Sequence, residues 1–76
     1  MPTAYVMIAC DYGQEEQVLD ELKTIGKIKE AHGTEGHYDI VAEMEKMTTD
    51  EINNTVSEKI RRINGVRSTL ILLAQC

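Results

Sequence analysis

The stretch Gly33-Thr34-Glu35-Gly36-His37-Tyr38-Asp39 has the residue types and spacing for chemistry. Its two glycines can adopt positive φ and let a ligand come close to the backbone. Asp39 falls where the chain already reads as a strand, a setting that disfavours Asp and so asks for a reason. If residues 33–36 form a four-residue loop, Gly33 pairs with Gly36 and His32 stands directly opposite His37. Such a histidine pair could hold a divalent metal with Asp39 or with a carboxylate from another subunit. Two ligands without a third make a poor site, so the expectation is an exposed pair and no metal or other cofactor. Asp39 itself admits two readings, a carboxylate that hydrogen-bonds nearby backbone and one that contacts a ligand.

The elements that must position this hairpin follow from periodicity. Residues 4–10 are apolar throughout and rich in β-formers, and the Asp11-Tyr12-Gly13 break keeps them short, as for a strand. From Gln14 to Ile25 the period changes: Val18, Leu19, Leu22 and Ile25 share one side and the acids take the other, an amphipathic helix stopped by Gly26. Residues 27–32 alternate as a second strand and residues 38–44 form a third. Thr48-Thr49-Asp50-Glu51 is a capping box, and Ile52, Val56, Ile60 and Ile63 then form an apolar helical stripe that Asn64-Gly65 ends. Residues 66–74 read as the fourth strand, with Gln75-Cys76 as a tail.

The order is βαββαβ, and Leu22, Ile25 and Ile28 recur as Ile60, Ile63 and Val66 at a constant offset, as though one βαβ unit had been used twice. This predicts a single α+β domain over residues 1–76, ferredoxin-like, with a four-stranded antiparallel sheet and both helices on one face. The other face is left bare. Tyr5 and Met7 fall on the side opposite Val6 and Ile8, and Leu70, Leu72 and Ala74 on the side opposite Ile71 and Leu73. An apolar patch of that size on so small a domain predicts a homodimer that pairs through the sheet.

Composition narrows the function. A net charge of −5, from 13 acids against 8 bases, argues against a nucleic-acid surface, whose affinity comes from neutralising phosphates. The basic cluster Lys59-Ile60-Arg61-Arg62 is read as complementing a helix C-terminus. No apolar run approaches a membrane span, and Met1-Pro2-Thr3 lacks the basic and apolar regions of a signal peptide. Cys10 and Cys76 form neither a CxxC nor a disulfide framework, so a reducing cytoplasm is expected. Catalysis is not: no basic residue follows the first strand for phosphate, no Cys pair serves a heavy metal there, and Cys10 has no basic neighbour in sequence to activate it. Tyr5 and Tyr38 are too few aromatics for an RNA-binding sheet.

The Tyr5-Val6-Met7-Ile8 strand, Gly36-His37-Tyr38-Asp39 opening the third strand, and Ile63-Asn64-Gly65-Val66-Arg67-Ser68-Thr69 leading into the fourth resemble, in order and spacing, the effector-binding (RAM) domain of the Lrp/AsnC transcriptional regulators. Where that family often has Pro-Gly before the first helix, this chain has Tyr12-Gly13. The resemblance implies dimers that associate into octamers or decamers and bind amino acids or related effectors where dimers meet. It places the effector pocket on Gly33, Thr34, Gly36, Tyr38, Asp39 and Thr69. A zwitterionic amino acid needs N–H donors for its carboxylate, which a glycine loop can expose, and an acceptor for its ammonium, which Asp39 can supply. Because the chain opens on the first strand, it resembles the stand-alone form that lacks the helix-turn-helix domain. Two functions are then expected: an amino-acid sensing and assembly module, or a pure interaction module that co-assembles with a full-length DNA-binding paralogue.

Overall fold

The computed structural model describes residues 3–74; the expected tail at Gln75-Cys76 lies outside them. In chain order the elements are β1 (Thr3–Cys10), α1 (Glu15–Leu22), β2 (Ile28–Gly33), β3 (Ile40–Met44), α2 (Thr49–Thr55), a π-helical stretch (Val56–Ile60) and β4 (Val66–Ala74). The strands form one antiparallel sheet in the order β2-β3-β1-β4. This is the ferredoxin-like arrangement that the repeated βαβ pattern predicts.

Strand alternation divides the sheet into two unlike faces. Ala4, Val6 and Ile8 of β1 lie beside Ile40, Ala42 and Met44 of β3 and pack under Val18, Leu22, Ile52, Val56 and Ile60 from the helical segments, all of them buried. Both helices therefore cover the same face. On the opposite face Tyr5 pairs with Leu72 and Met7 with Leu70, and the two leucines are 46% and 42% exposed. Val41 adjoins this strip beside Met7, and Glu43 adjoins it beside Tyr5.

The helices end where local hydrogen bonding changes. α1 stops at Leu22 rather than Ile25 because the Thr24 and Ile25 N–H groups donate back three residues, to the Glu21 and Leu22 carbonyls. The Thr24 hydroxyl also donates to the Glu21 carbonyl at 2.7 Å, and so helps close the tight turn. At the start of α2 the capping box forms as read: Thr48 Oγ1 accepts from the Glu51 N–H, and Glu51 Oε1 accepts from the Thr48 N–H at 3.0 Å. The stripe Ile52, Val56, Ile60 repeats every four residues, which advances about 40° per step in an α-helix of 3.6 residues per turn. A wider turn cancels that drift. Here the Arg61 N–H reaches the Val56 carbonyl at 2.8 Å, a π-type bond five residues back, and Ile60 stays fully buried.

Candidate functional site

The hairpin differs from its expected form. The register pairs His32 with Val41 and Gly33 with Ile40, so β3 begins at Ile40 and residues 34–39 form a longer loop. His32 and His37 are therefore not cross-strand neighbours. His32 lies on the bare face of the sheet, 3.9 Å from the Glu30 carboxylate, while His37 sits exposed in the loop. Among the described residues no group of three or more His, Cys, Asp or Glu is placed to hold a metal ion, and the proposed histidine pair does not exist as a pair.

Asp39 explains why the ladder ends where it does. Its N–H donates to the Ile8 carbonyl at 2.9 Å, and its carbonyl accepts from the Thr34 N–H at 2.7 Å. Its carboxylate Oδ2 accepts the Cys10 N–H at 2.7 Å. A side chain thus takes the place of the main-chain acceptor that a longer β3 would have offered to the end of β1. The mismatch between Asp and strand is resolved by position: Asp39 stands just outside the strand and caps the β1–β3 ladder. The Thr34 hydroxyl closes the loop by donating to the Tyr38 carbonyl at 2.9 Å. Among the described residues, Asp39 Oδ1 accepts no hydrogen bond.

The other residues are distributed unevenly. Gly36 has φ +115, a conformation that calls for glycine, and is exposed at the loop tip. Gly33 has an ordinary strand φ, and a Cβ there would meet nothing closer than the Asp39 carbonyl oxygen at 3.9 Å, so the fold does not require glycine at this position. Tyr38 is half-buried. Thr69 does not join the hairpin: it pairs with Ile8 on the far side of β1 from Ile40, about 10 Å away across two interstrand spacings. The hairpin residues converge, and Thr69 stands apart from them within one subunit. Two surface clefts, one among Thr3, Lys29, Glu43 and Lys46 and one among Thr24, Ile25, Gly26, Lys27 and Lys59, also lie away from the hairpin.

Two features of this end of the sheet escaped the pattern reading. The Asp11 N–H donates to the Gly65 carbonyl at 2.8 Å, which ties the β1–α1 loop to the turn before β4. Gly65 has φ +105 and is so tightly packed that a Cβ would lie 2.8 Å from Gln14 Cβ and 3.1 Å from Val18 Cγ2. The sequence marks Asn64-Gly65 as a helix stop but carries no sign of that close approach. The Cys10 thiol is buried and its pKa is pushed up to about 11, first by desolvation and then by the charges of Asp39, Glu15 and Asp11, with Arg67 opposing. It is a packed thiol, protonated at neutral pH.

The sequence profile of the Lrp/AsnC ligand binding domain matches residues 3–75, and the chain belongs to that family. A curated relative from Pyrococcus furiosus, the uncharacterised HTH-type transcriptional regulator PF0250, is 28% identical over 95% of this chain and 50% of its own length. The chain thus spans about half the length of that relative. TTHA0845 from Thermus thermophilus superposes with a TM-score of 0.91 at 26% identity, over 100% of this chain and 95% of that one. The transcriptional regulator NMB0573 of Neisseria meningitidis, solved as a complex with L-Met, shares the fold with a TM-score of 0.86. Its identity is 8%, over 99% of this chain and 50% of its own.

Proposed function

We propose that this domain binds an amino acid or a closely related zwitterion at a junction between subunits and that altered assembly is its output. The observation that carries this is the Asp39 carboxylate. One oxygen is fixed by the Cys10 N–H, and the other is left as an acceptor beside a loop whose tip is held open by Gly36. A carboxylate oriented by one hydrogen bond is pre-organised to receive an ammonium with the second oxygen. The exposed amides of the loop supply donors for the effector's carboxylate. Gly33, Thr34, Gly36, Tyr38 and Asp39 form one wall. The separation of Thr69 from them supports a site whose remaining wall belongs to a neighbouring subunit.

The bare face of the sheet supports assembly. Tyr5, Met7, Leu70 and Leu72 make an apolar strip on a domain of 8.6 kDa, and pairing two such faces buries it. The structural neighbour solved with L-Met gives the effector class its precedent. The buried Cys10 thiol, protonated at neutral pH, is not an activated nucleophile; among the described residues no helix is long and apolar enough to cross a membrane. Co-assembly with a longer, DNA-binding relative is the second reading, favoured by the helix-turn-helix description of PF0250.

A thermal-shift panel of the twenty amino acids, run on wild type and Asp39→Asn, tests the proposal. One or a few amino acids should raise the melting temperature of wild type and leave Asp39→Asn unmoved. A flat wild-type response to every amino acid at millimolar concentration would refute effector binding.

A further inference from the structure

Tyr12 is 99% exposed, and it is held on a stiff support. The Asp11 N–H is bonded to the Gly65 carbonyl at 2.8 Å, the Gln14 N–H returns to the Asp11 carbonyl at 3.0 Å, and Gly13 makes the turn with φ +83. An aromatic wholly in solvent on a tied-down backbone is the kind of side chain that anchors interfaces, because it offers a large contact area for only two side-chain torsions. Acids flank it: Asp11 precedes it, and Glu15 and Glu16 open α1. Arg67 lies close enough to act on Cys10.

The opposite end of α1 carries the complement. Just past the helix, Thr24, Ile25 and Gly26 floor an open cleft of 720 Å³ walled by Lys27 and Lys59. Among the described residues neither lysine is in ion-pair contact, although Lys27 acts on Glu51 through space. On a chain of net charge −5 this cleft is a place where another copy's acids can land. The knob cannot reach the cleft of its own subunit, since α1, an 8-residue helix and so about 12 Å long, separates them.

We infer that the Asp11-Tyr12-Gly13 knob of one copy docks into the Ile25–Lys27–Lys59 cleft of another copy of this chain. The ring packs on Ile25 under the two ammonium groups, a cation–π arrangement, and Asp11 and Glu15 meet the lysines at the rim. Knob and cleft are different surfaces, so the contact is head-to-tail. Repeated, it closes a ring or extends a filament. This contact adds to the sheet-face dimer.

Sedimentation velocity over a range of protein concentrations separates the two contacts. Wild type should show species larger than the dimer, and Tyr12→Ser and Lys27→Glu should each lose them while keeping the dimer. Because Tyr12 is fully exposed, its replacement leaves the fold intact. Mixing Asp11→Lys with Lys27→Glu should restore a 1:1 association, in which reversed charges meet at one interface. Wild type that never exceeds a dimer, or larger species that persist in both single variants, would overturn the inference. Wild type that is wholly monomeric would overturn it and the sheet-face dimer together.

Discussion

At the scale of single residues, Asp39 has two separable roles. Replacing it with Ala removes the acceptor for the Cys10 N–H and strands a part-buried donor, at a cost of about 1–3 kcal/mol in urea unfolding. Asp39→Asn keeps an oxygen for that N–H and should recover most of the stability, yet it loses the charge that an ammonium requires. Stability and effector response are therefore expected to part company in the Asn variant. Gly65 gives a sharper structural prediction. A Cβ at φ +105 that meets Gln14 at 2.8 Å combines backbone strain with overpacking, so Gly65→Ala should cost about 2 kcal/mol or more. Calorimetric or urea unfolding of that variant is the check. Asp39 was visible in the sequence as an anomaly, but its partner was not, because Cys10 is 29 positions away and the link runs through a main-chain N–H that any residue would carry.

At the scale of elements, the strands and the start of α2 were legible because each rests on local chemistry: alternation for the strands, and Thr48 with Glu51 for the cap. The helix ends were less so. The Thr24 hydroxyl bond to Glu21 and the π-type bond from Arg61 to Val56 answer to packing on the sheet, which the apolar pattern does not encode. The hairpin register failed for a similar reason. Two glycines suggested a short loop, whereas the capped ladder ends at Gly33 and Ile40, which dissolves the His32–His37 pair. The capping box itself can be tested by pH. Hydrogen bonds from the Thr48 backbone and side chain hold the Glu51 carboxyl below its usual 4.5. A group with a depressed folded pKa contributes fully above its unfolded value and loses that contribution as pH falls through the folded one. Thr48→Ala should lower stability at neutral pH by removing the cap, and the part that came from the hydroxyl's bond to the Glu51 carboxylate should fade as the pH drops below 4.5, read from unfolding curves at matched pH values.

At the scale of the whole molecule, the two faces of the sheet have different fates. One is covered by helices, with Leu73 beside Ala4 at the β4 edge left 45% exposed, and the other presents Tyr5, Met7, Leu70 and Leu72. Leu72 is 46% exposed, so Leu72→Glu should leave the subunit folded by circular dichroism and shift its mass in light scattering from at least a dimer to the 8.6 kDa monomer. The bare face could be read from the sequence because β4 is apolar at successive positions. The division of the candidate site could not, since only the three-dimensional order β2-β3-β1-β4 reveals that β1 stands between Thr69 and the hairpin. If the hairpin is half of a site that assembly completes, binding needs the neighbouring subunit. Calorimetric titration of an amino acid that stabilises wild type, carried out on wild type and on monomeric Leu72→Glu, decides the point. Saturable binding is expected for the wild-type assembly and none for the folded monomer; equal affinity for both would mean that one subunit holds the whole site.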